Sequence, residues 1–489
     1  MTAKEISRRR LFLGLTGAAL GTALPKVLAG EETSSEVVRE RRFDVVVAGA
    51  GGAGLAAAVR AAESGARVVL LEKESTLGGN TLIASGYYAA VDPLRQTAGR
   101  ILDSEEAFAR QMIENAGPTA DRAKIERFVK EALPTLRWLE GKGVRFEERL
   151  YEISGSLARR NHKPLLPNGE GYVRQLFVAA RRLGVTIERN ARAEAIETDA
   201  EGRAVALLVA GPTGRVSYRA VRGIVIATGG FGANPEMVAR FSPRFAGLTH
   251  DNAPGATGEM TLAAAKAGAA LVDMGEIQCQ PGCPPGRTHR VRLHNDVTRF
   301  ILIDKTGQRF VAEDAPRDVV RDAVLAAPGA LAFALVDDEG FRSYNRLIQK
   351  ETVMGVESGD AWVADDLASL ARQIGVDPGE LLATVRKYNV GIRYGIDSCG
   401  KDVRNAKLIV EPPFWASFAA MTVHATMGGI RTTPDAEVLR TDGRVFPGLY
   451  AAGEAAGGLH GRNQLGGCGL ADAFVFGKIA GERAARQLP

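Results

Sequence analysis

Cysteine, histidine and aromatic residues are scarce in this 489-residue chain. It has four cysteines and six histidines, and aromatic residues make up 6% of it. No cysteine forms a CxxC or CxxCH motif, which excludes a covalently attached c-type haem and gives no sign of an iron–sulfur cluster. Cys279 and Cys283 could pair in an oxidising compartment, but their spacing is equally compatible with two free thiols. No metal site is predicted.

A strong charge of one sign and long apolar runs are also lacking. The formal net charge is +5, and the hydrophobic content of 45% and charged content of 24% are ordinary for globular proteins. No basic stripe is interleaved with aromatic residues, so a nucleic-acid partner is not predicted. No segment beyond the N-terminal region is long and apolar enough to span a bilayer.

The first 29 residues predict an export signal. The run RRLFL at 9–13 follows the twin-arginine pattern, and VLA at 27–29 is a suitable cleavage site after a weakly apolar stretch. A membrane anchor is the alternative, but the stretch is short, interrupted by glycine and followed by two glutamates. We therefore predict a twin-arginine signal peptide over residues 1–29, a periplasmic location, and no stable membrane anchor after cleavage.

A strand, a glycine-rich turn, a helix and a second strand follow one another from residue 42 to 71. FDVVVA at 43–48 runs into GAGGAG at 49–54, and RVVLL at 67–71 ends at Glu72. In such a unit the glycines permit a tight turn, close approach of a pyrophosphate and close packing of the helix on the strand. The pyrophosphate lies at the helix N-terminus, and the acid binds the ribose. The unit predicts a site for FAD or NAD.

Three later glycine-rich segments favour FAD. They are GGNT at 78–81, ATGGFG at 227–232 and GLYAAGE at 448–454, the last followed by a helix near residue 467. Such openings let an extended cofactor lie against backbone, and the helix start is expected to face the flavin pyrimidine edge. The predicted FAD-binding residues are Gly49, Gly51, Gly52, Ala53, Gly54, Glu72, Lys73, Gly78, Gly79, Asn80, Thr81, Thr228, Gly229, Gly230, Glu454 and Leu470.

The order of patterns along the chain predicts an α/β fold in which a Rossmann-like nucleotide-binding domain is interrupted by an insertion. At 489 residues the chain is too long for one simple core. Helices are expected at 104–142 and 171–183, alternating strands at 186–221, and a less regular section at 275–424 with helical patterns near 365–393 and a basic loop at 287–299.

Six short segments carry a resemblance to a known family. They are GGNT at 78–81, PGATG at 254–258, GQRF at 307–310, AEDAPRD at 312–318, HATMGG at 424–429 and HGRN at 460–463. From about Arg42 to its end, the sequence resembles the FAD-dependent soluble fumarate reductases of the flavocytochrome c type, a family that includes urocanate and methacrylate reductases. The resemblance implies an FAD domain at 40–274 and 425–489 and an inserted α+β clamp domain at 275–424.

The resemblance also implies a reaction. In the family, flavin N5 passes a hydride to the β-carbon of a small unsaturated carboxylate, and an arginine of the clamp protonates the α-carbon. Arg317 occupies the matching position. Since an arginine almost never loses its proton, this role requires excluded water and fixed geometry. An ion pair of Arg317 with Asp318 or Glu313 is the structural alternative.

Several substrate-binding positions depart from the family pattern. Gln280 and Ala425 stand where histidines are expected, although His424 is present, and Gln464 stands where an arginine is expected. Losing a bidentate arginine costs an anion a few kcal/mol, so a monocarboxylate or a larger polar or aromatic enoate is expected rather than fumarate.

The basic loop also departs from the family pattern. Arg292-Leu293 stand where the family has Thr-Glu, and Asp296 stands where it has Arg. A substrate carboxylate could meet Arg462, or Arg292 with His294. The predicted substrate-binding residues are Gln280, His424, Gln464 and Arg462. Because CxxCH is lacking, the resemblance implies a separate multihaem c-type cytochrome as the electron donor.

Two other functions stay open. One is an FAD-dependent dehydrogenase of a ketosteroid or saturated acid, with Tyr87 or Tyr88 as its base, although packing beside the flavin explains these tyrosines equally well. The other is a non-catalytic electron-transfer or sensor module.

Overall fold

This computed structural model describes residues 39–153, 155–287 and 289–487, so the predicted signal peptide at 1–29 lies outside the described residues. The strands are β1 (Arg39–Ala48), β2 (Val68–Leu71), β3 (Tyr88–Ala89), β4 (Asn161–His162), β5 (Thr186–Glu188), β6 (Arg192–Thr198), β7 (Ala204–Gly211), β8 (Gly214–Ile226), β9 (Thr249–His250), β10 (Leu271–Val272), β11 (Ile277–Gly282), β12 (Ile301–Asp304), β13 (Ala332–Val336), β14 (Ala361–Ala364), β15 (Phe414–Phe418), β16 (Ala420–Thr426), β17 (Gly429–Ile430), β18 (Glu437–Leu439) and β19 (Val445–Ala451).

The helices are α1 (Gly52–Glu63), α2 (Gly79–Ile83), α3 (Pro93–Ala98), α4 (Glu105–Ala116), α5 (Arg122–Gly141), α6 (Glu170–Arg182), α7 (Pro235–Phe241), α8 (Glu259–Lys266), α9 (Arg317–Ala326), α10 (Asp338–Ser343), α11 (Arg346–Ser358), α12 (Leu367–Ile374), α13 (Pro378–Tyr394) and α14 (Cys468–Arg486). No helix in the described ranges is long and apolar enough to cross a membrane.

The largest sheet has eight strands. Its main path runs β18-β19-β8-β1-β2-β5, and β7 and β6 continue it beside β8. Strands β19, β8, β1, β2 and β5 run parallel to one another on this path, whereas β18 pairs antiparallel with β19. Parallel strands are buried on both faces, which explains the continuous apolar run in β1. The α/β Rossmann-like fold class is thus confirmed.

Alternate residues of β1 face two different cores. Val45 and Val47 pack with α1 and α14, whereas Val46 and Ala48 pack with β7 and α8. This follows from the two-residue period of side chains in a strand. The central strand is fixed from both sides, so the turn that follows it has a rigid support.

A second, four-stranded antiparallel sheet is formed by β12, β13, β15 and β14. Its residues all fall between 301 and 418, whereas the eight-stranded sheet draws on residues before 227 and after 436. Strand β11 precedes the segment that forms the four-stranded sheet, strand β16 follows it, and the two strands pair antiparallel. The domain boundaries at 275 and 424 stay a prediction.

The section at 275–424 is more regular than its sequence suggested. Besides the expected helices α12 and α13, it contains α9, α10 and α11 and a complete sheet. Its strands are short and buried. In a short apolar run, the alternation of apolar and polar residues that marks a strand cannot be recognised. In the predicted helical stretch at 104–142, Gly117 with φ +82° separates α4 from α5.

Candidate active site

The turn between β1 and α1 lies against the end of β8. Gly49 has φ +95°, and a β-carbon there would lie 2.4 Å from the carbonyl oxygen of Ala227. A β-carbon on Gly54 would lie 1.7 Å from the carbonyl oxygen of Gly49. Glycine alone fits these two positions. The turn therefore brings the N-terminus of α1 to the carboxyl edge of the sheet.

This helix start has the properties of an anion site. Its N-cap residue, Gly51, makes no side-chain capping bond, and the N–H of Gly52 donates to Oγ1 of Thr81 at 2.9 Å. Unpaired N–H groups and the helix dipole attract negative charge at such a position. A pyrophosphate would find its donors here.

Glu72 lies at the end of β2, beside the same turn. Its carboxylate accepts the N–H of Ala50 at 2.8 Å and the N–H of Glu74 at 2.9 Å. A carboxylate has about four acceptor sites, so capacity is left for a ribose hydroxyl. The next residue, Lys73, forms an ion pair with Glu259 at 2.9 Å.

A cavity of about 610 Å³ extends from this turn to the N-terminus of α9. The predicted FAD-binding residues that line it are Gly49, Gly51, Gly52, Ala53, Glu72, Lys73, Gly79, Asn80, Thr81, Thr228, Gly229, Glu454 and Leu470. Gly54, Gly78 and Gly230 are outside this lining. We call the wall around Gly49 and Glu72 the cofactor end and the wall around Arg317 and His424 the substrate end.

Asn80 and Glu454 join separate segments near the middle of the cavity. The Nδ2 of Asn80 donates to Asn252 at 2.7 Å and to Glu454 at 3.2 Å. The other carboxylate oxygen of Glu454 accepts the N–H of Thr426 at 3.0 Å. Burial raises the pKa of Glu454. These bonds hold the 78–81 segment, the end of β19 and the end of β16 together.

Arg317 is the first residue of α9 and lines the substrate end. Its Nη1 donates to Oε1 of Gln278 at 3.2 Å, and a β-carbon on Gly155 would lie 2.8 Å from its Nε. The side chain of Arg317 is partly exposed because it faces the cavity. Burial nevertheless lowers the pKa of Arg317 to about 10, and the positive charge of Arg290 lowers it further. A lowered pKa makes a guanidinium a stronger acid.

The carboxylates that the sequence offered as structural partners of Arg317 have other contacts. Glu313 forms ion pairs with Arg309 at 2.7 Å and with Lys401 at 3.2 Å. Asp318 accepts a hydrogen bond from Nδ2 of Asn463 at 3.0 Å. Neither arrangement requires Arg317 as the counter-ion.

Four residues from distant segments meet beside Arg317, and we call Asp251, Gln280, Arg290 and His424 the Asp251 cluster. The carboxylate of Asp251 contacts Nδ1 of His424 at 2.9 Å and forms an ion pair with Nη1 of Arg290. The Nη2 of Arg290 donates to Oε1 of Gln280 at 3.2 Å. Burial alone would raise the pKa of Asp251, but His424 and Arg290 outweigh it and lower the pKa. The aspartate is therefore ionised at neutral pH.

The basic loop holds two further candidates for an anion site. Arg292 is buried and forms a bidentate ion pair with Glu351, at 2.8 and 2.6 Å. Burial, with the charges of Arg290 and Arg292, lowers the pKa of His294 well below its usual range, so His294 is neutral. Its buried Nδ1 has no hydrogen-bond partner among the described residues.

Not every predicted substrate residue faces the cavity. Gln280, His424 and Gln464 line it, but Arg462 is exposed and is not part of its lining. Its guanidinium group instead lies beside Gly117, where a β-carbon would come within 3.3 Å of Arg462 Nε. The prediction that Arg462 meets the substrate therefore has no support from the geometry.

Tyr87 and Tyr88, the two candidate bases, also differ in whether they line the cavity. Tyr87 lines the cavity, whereas the buried Tyr88 donates to the carbonyl oxygen of Ala132 at 2.8 Å. Burial raises the pKa of both phenols. Cys279 and Cys283 are free thiols in the described structure.

Comparisons with known proteins agree with this geometry. Residues 44–470 match the FAD binding domain family. The chain is 34% identical over 445 residues to the fumarate reductase (cytochrome) of Shewanella frigidimarina, covering 91% of this chain and 77% of that protein. The chain belongs to the fumarate reductase flavoprotein family of the flavocytochrome c type. It is an FAD-dependent oxidoreductase that acts on carbon–carbon double bonds, and the FAD prediction is confirmed.

Other members of this family act on different unsaturated acids. The chain is 33% identical over 453 residues to the urocanate reductase of Eggerthella lenta, covering 90% of this chain and 74% of that protein. It is 29% identical over 509 residues to the acrylate reductase flavoprotein subunit of Shewanella woodyi, covering 98% and 99%.

Two solved structures are similar over most of the chain. An open conformation of a flavocytochrome c3 fumarate reductase matches with a TM-score of 0.74 at 30% identity, covering 91% of this chain and 78% of that one. The 3-ketosteroid-Δ4-(5α)-dehydrogenase of Rhodococcus jostii matches with a TM-score of 0.73 at 29% identity, covering 93% and 99%.

The residues present fit FAD. The start of α14, like that of α1, has a glycine N-cap without a side-chain bond, and Gly469 and Leu470 line the cavity there. Oγ1 of Thr228 is buried beside the cavity and has no hydrogen-bond partner in the described residues. Since buried polar groups are normally hydrogen-bonded, this hydroxyl fits a contact with the cofactor. The α1 start fits the pyrophosphate, Glu72 fits the ribose, and the α14 start fits the flavin pyrimidine edge.

The sequence does not predict four residues that form or support the substrate end: Asp251 and Arg290 line it, and Gln278 and Glu351 bind Arg317 and Arg292. Arg290 lies in the basic loop at 287–299, and that charge pattern alone pointed to it. Asp251 precedes the PGATG segment, but its partners Arg290 and His424 are 39 and 173 residues away in the sequence. No local pattern joins positions so far apart.

Proposed function

We propose that this enzyme reduces the C=C bond of an α,β-unsaturated organic acid other than fumarate. FAD held by the starts of α1 and α14 and by Glu72 would supply the hydride for the β-carbon, and Arg317 would supply the proton to the α-carbon. The observation that carries the proposal is Arg317 at the cavity wall, where burial lowers its pKa to about 10. The named reductases of fumarate, urocanate and acrylate among its relatives support the same reaction type.

The surroundings of Arg317 suit a proton donor. Its guanidinium donates to Gln278, and its side chain packs closely against Gly155. Fixing the donor keeps the proton at one place relative to the substrate, and a stronger acid lowers the cost of its transfer. The developing charge on the α-carbon is stabilised by the same cation before the proton moves.

Fumarate is disfavoured by the rest of the substrate end. Gln464 offers an amide where the family pattern has an arginine, and Arg292 is already paired with Glu351. Binding a second carboxylate without a bidentate cation loses on the order of a few kcal/mol. A monocarboxylate enoate, including polar or aromatic ones, fits this lining better.

The second candidate is an FAD-dependent dehydrogenase of a ketosteroid or saturated acid. The likeness to the ketosteroid dehydrogenase structure favours it, and Tyr87 lines the cavity where a base could act. The environment opposes that role, because burial raises the pKa of Tyr87 and a phenolate base needs a lowered one. Reduction is therefore preferred.

The proposal includes a location and an electron donor. We propose export to the periplasm, which the twin-arginine run at 9–13 supports, and a separate multihaem c-type cytochrome as the electron donor. The relative named fumarate reductase (cytochrome) agrees with a cytochrome donor. Cell fractionation with an Arg9→Lys, Arg10→Lys variant tests the export, since the variant should stay in the cytoplasm.

An anaerobic assay tests the reaction. Oxidation of reduced methyl viologen is followed with acrylate, crotonate, cinnamate, urocanate and fumarate, and flavin bleaching is followed with 3-ketosteroids and saturated acids. We expect viologen oxidation with at least one monocarboxylate and less with fumarate. Bleaching by a saturated substrate, with no enoate reduced, would replace the reductase by the dehydrogenase.

A further inference from the structure

The loop between β11 and β12 brings several cations to the substrate end, but they differ in what they already bind. We propose that Arg290 binds the carboxylate of the substrate and that this single arginine restricts the enzyme to monocarboxylates. The inference rests on the proposed reduction of an unsaturated acid. It assigns the anion site to a residue outside the positions at which the family pattern places its carboxylate-binding groups.

The guanidinium of Arg290 has donors to spare. Nη1 pairs with Asp251, and Nη2 donates to Gln280 at 3.2 Å. Nε is buried and meets no acceptor in the described residues, while the side chain keeps 26% of its surface exposed. Nε and Nη2 form the edge that takes a carboxylate in a bidentate manner. A substrate carboxylate on this edge would satisfy Nε and leave the pair with Asp251 intact.

The other arginines near the substrate are already committed or are elsewhere. Arg292 is 9% exposed at its side chain and holds Glu351 through two hydrogen bonds. Arg462 is exposed and lies outside the cavity lining. Arg317 is assigned to donate the proton to the α-carbon. Arg321 also lines the cavity and is paired with Asp322. Arg290 is therefore the arginine best placed for an anion.

His294 supplies a second donor at the same end. Its ring is 7% exposed and lines the cavity, and Nδ1 has no partner within the described part of the chain. The charge of Arg290 acts on it directly. A buried ring nitrogen without a partner is costly, and in the tautomer with hydrogen on Nδ1 a carboxylate between Arg290 and His294 would accept that hydrogen and remove the cost.

Asp251 is the positioning residue of this site. It holds Arg290 and His424 on one carboxylate, and this pair keeps the guanidinium of Arg290 next to Gln280. It also offsets part of the charge of Arg290. Gln464, which lines the same cavity, offers a neutral amide. One carboxylate is bound, and the remainder of the substrate meets amides and apolar groups.

The test compares acids with their amides on the FAD-loaded enzyme. Acrylate with acrylamide and cinnamate with cinnamamide are titrated into oxidised enzyme, and binding is read from the flavin absorption spectrum. Arg290→Gln should weaken acid binding by about ten- to a hundredfold and raise KM similarly, with kcat much less affected and amide binding unchanged. Arg287→Gln, an exposed arginine of the same loop paired with Asp360, is the matched control and should behave as wild type.

Asp251 is tested by the same titration. Asp251→Asn should reduce the preference for acid over amide and raise KM more than it lowers kcat, and Asp251→Glu should restore part of that preference. A merely structural role would change FAD content or kcat and leave the preference intact.

The outcomes separate the two proposals. If Arg290→Gln keeps the wild-type preference for acids, or if the wild type has none, the assignment of Arg290 is overturned while enoate reduction stands. If no enoate is reduced but acids still bind through Arg290, the carboxylate site stands and the proposed reduction fails.

Discussion

At the cofactor end of the cavity the turn at Gly49 and the start of α1 present backbone, whereas charged and amide side chains dominate the substrate end. Gly49, Gly54 and the start of α1 are shaped by strand and turn geometry. The substrate end depends on ion pairs between residues that are far apart in the chain, such as Asp251 with His424. Backbone walls tolerate little change, and side-chain walls can be exchanged without disturbing the fold. Members of one family can therefore share a cofactor and differ in substrate.

The largest effect is expected from removing the proton donor. Arg317→Ala should lower enoate turnover by about 10²–10⁴-fold, because a general acid of fixed geometry is lost, while FAD content stays normal. Turnover is measured by viologen oxidation and FAD by its absorption. Unchanged turnover with full FAD content would remove Arg317 from the reaction.

A change at the cofactor end should act on the whole protein. Gly54→Ala places a β-carbon 1.7 Å from the carbonyl oxygen of Gly49, so the turn must open. We expect loss of FAD and a free energy of unfolding lower by about 1–3 kcal/mol, measured by flavin-to-protein absorbance and by urea denaturation.

Gly141→Ala is the control for this change. A β-carbon at Gly141, at the end of α5, meets nothing within 4 Å. This variant should keep its FAD and its stability. Normal FAD binding by Gly54→Ala would show that the backbone wall is more tolerant than the comparison implies.

Exchanging side chains at the substrate end should alter specificity and leave the fold unchanged. Gln464→Arg combined with Gln280→His restores the residue types of the family pattern. The ratio of kcat/KM for fumarate to that for the best monocarboxylate should rise by about tenfold or more, since a charge-assisted bidentate contact is gained. FAD content and thermal stability are the controls. No change in the ratio would mean that other walls exclude fumarate.

The smallest effect concerns the pH dependence of stability. The pKa of Asp251 is lowered in the folded state, so its contribution is complete above the unfolded value of about 3.9 and is lost as pH falls through the folded value. Asp251→Asn should lower the free energy of unfolding by about 1–3 kcal/mol at neutral pH, with the difference shrinking below about pH 4.

An exposed carboxylate provides the control for this titration. Asp442→Asn removes a carboxylate that is paired with Arg444 at the surface. It should leave the free energy of unfolding nearly unchanged at every pH, because exposed pairs contribute little. A constant difference between wild type and Asp251→Asn across the pH range would rule out the ionised state of Asp251 as its cause.

The same contrast explains what the sequence could predict. The strand, turn and helix around Gly49 were predicted because their physics is local: glycine spacing, a buried strand and an acid at the next strand end. Family resemblance pointed to Arg317, and the structure brings it to the cavity. The FAD prediction is confirmed, whereas the roles of individual residues stay predictions.

Side-chain direction and distant partners were beyond the sequence. Arg462 is two residues from the cavity residue Gln464, yet it faces solvent, because neighbours on an irregular segment need not point the same way. The sequence makes Arg292 a candidate for binding the substrate carboxylate, but in the structure Glu351, 59 residues away, forms an ion pair with it. Tertiary pairing of this kind decides which arginine of a basic loop is available.

The sheet of β11, β16 and β9 has a consequence for how the substrate end is aligned. Gln278 and Gln280 lie on β11, His424 lies on β16, and α9 with Arg317 packs against both strands. The acid and these binding groups therefore share one support, and their spacing is set by the register of two paired strands. A substrate meets them as one preformed unit.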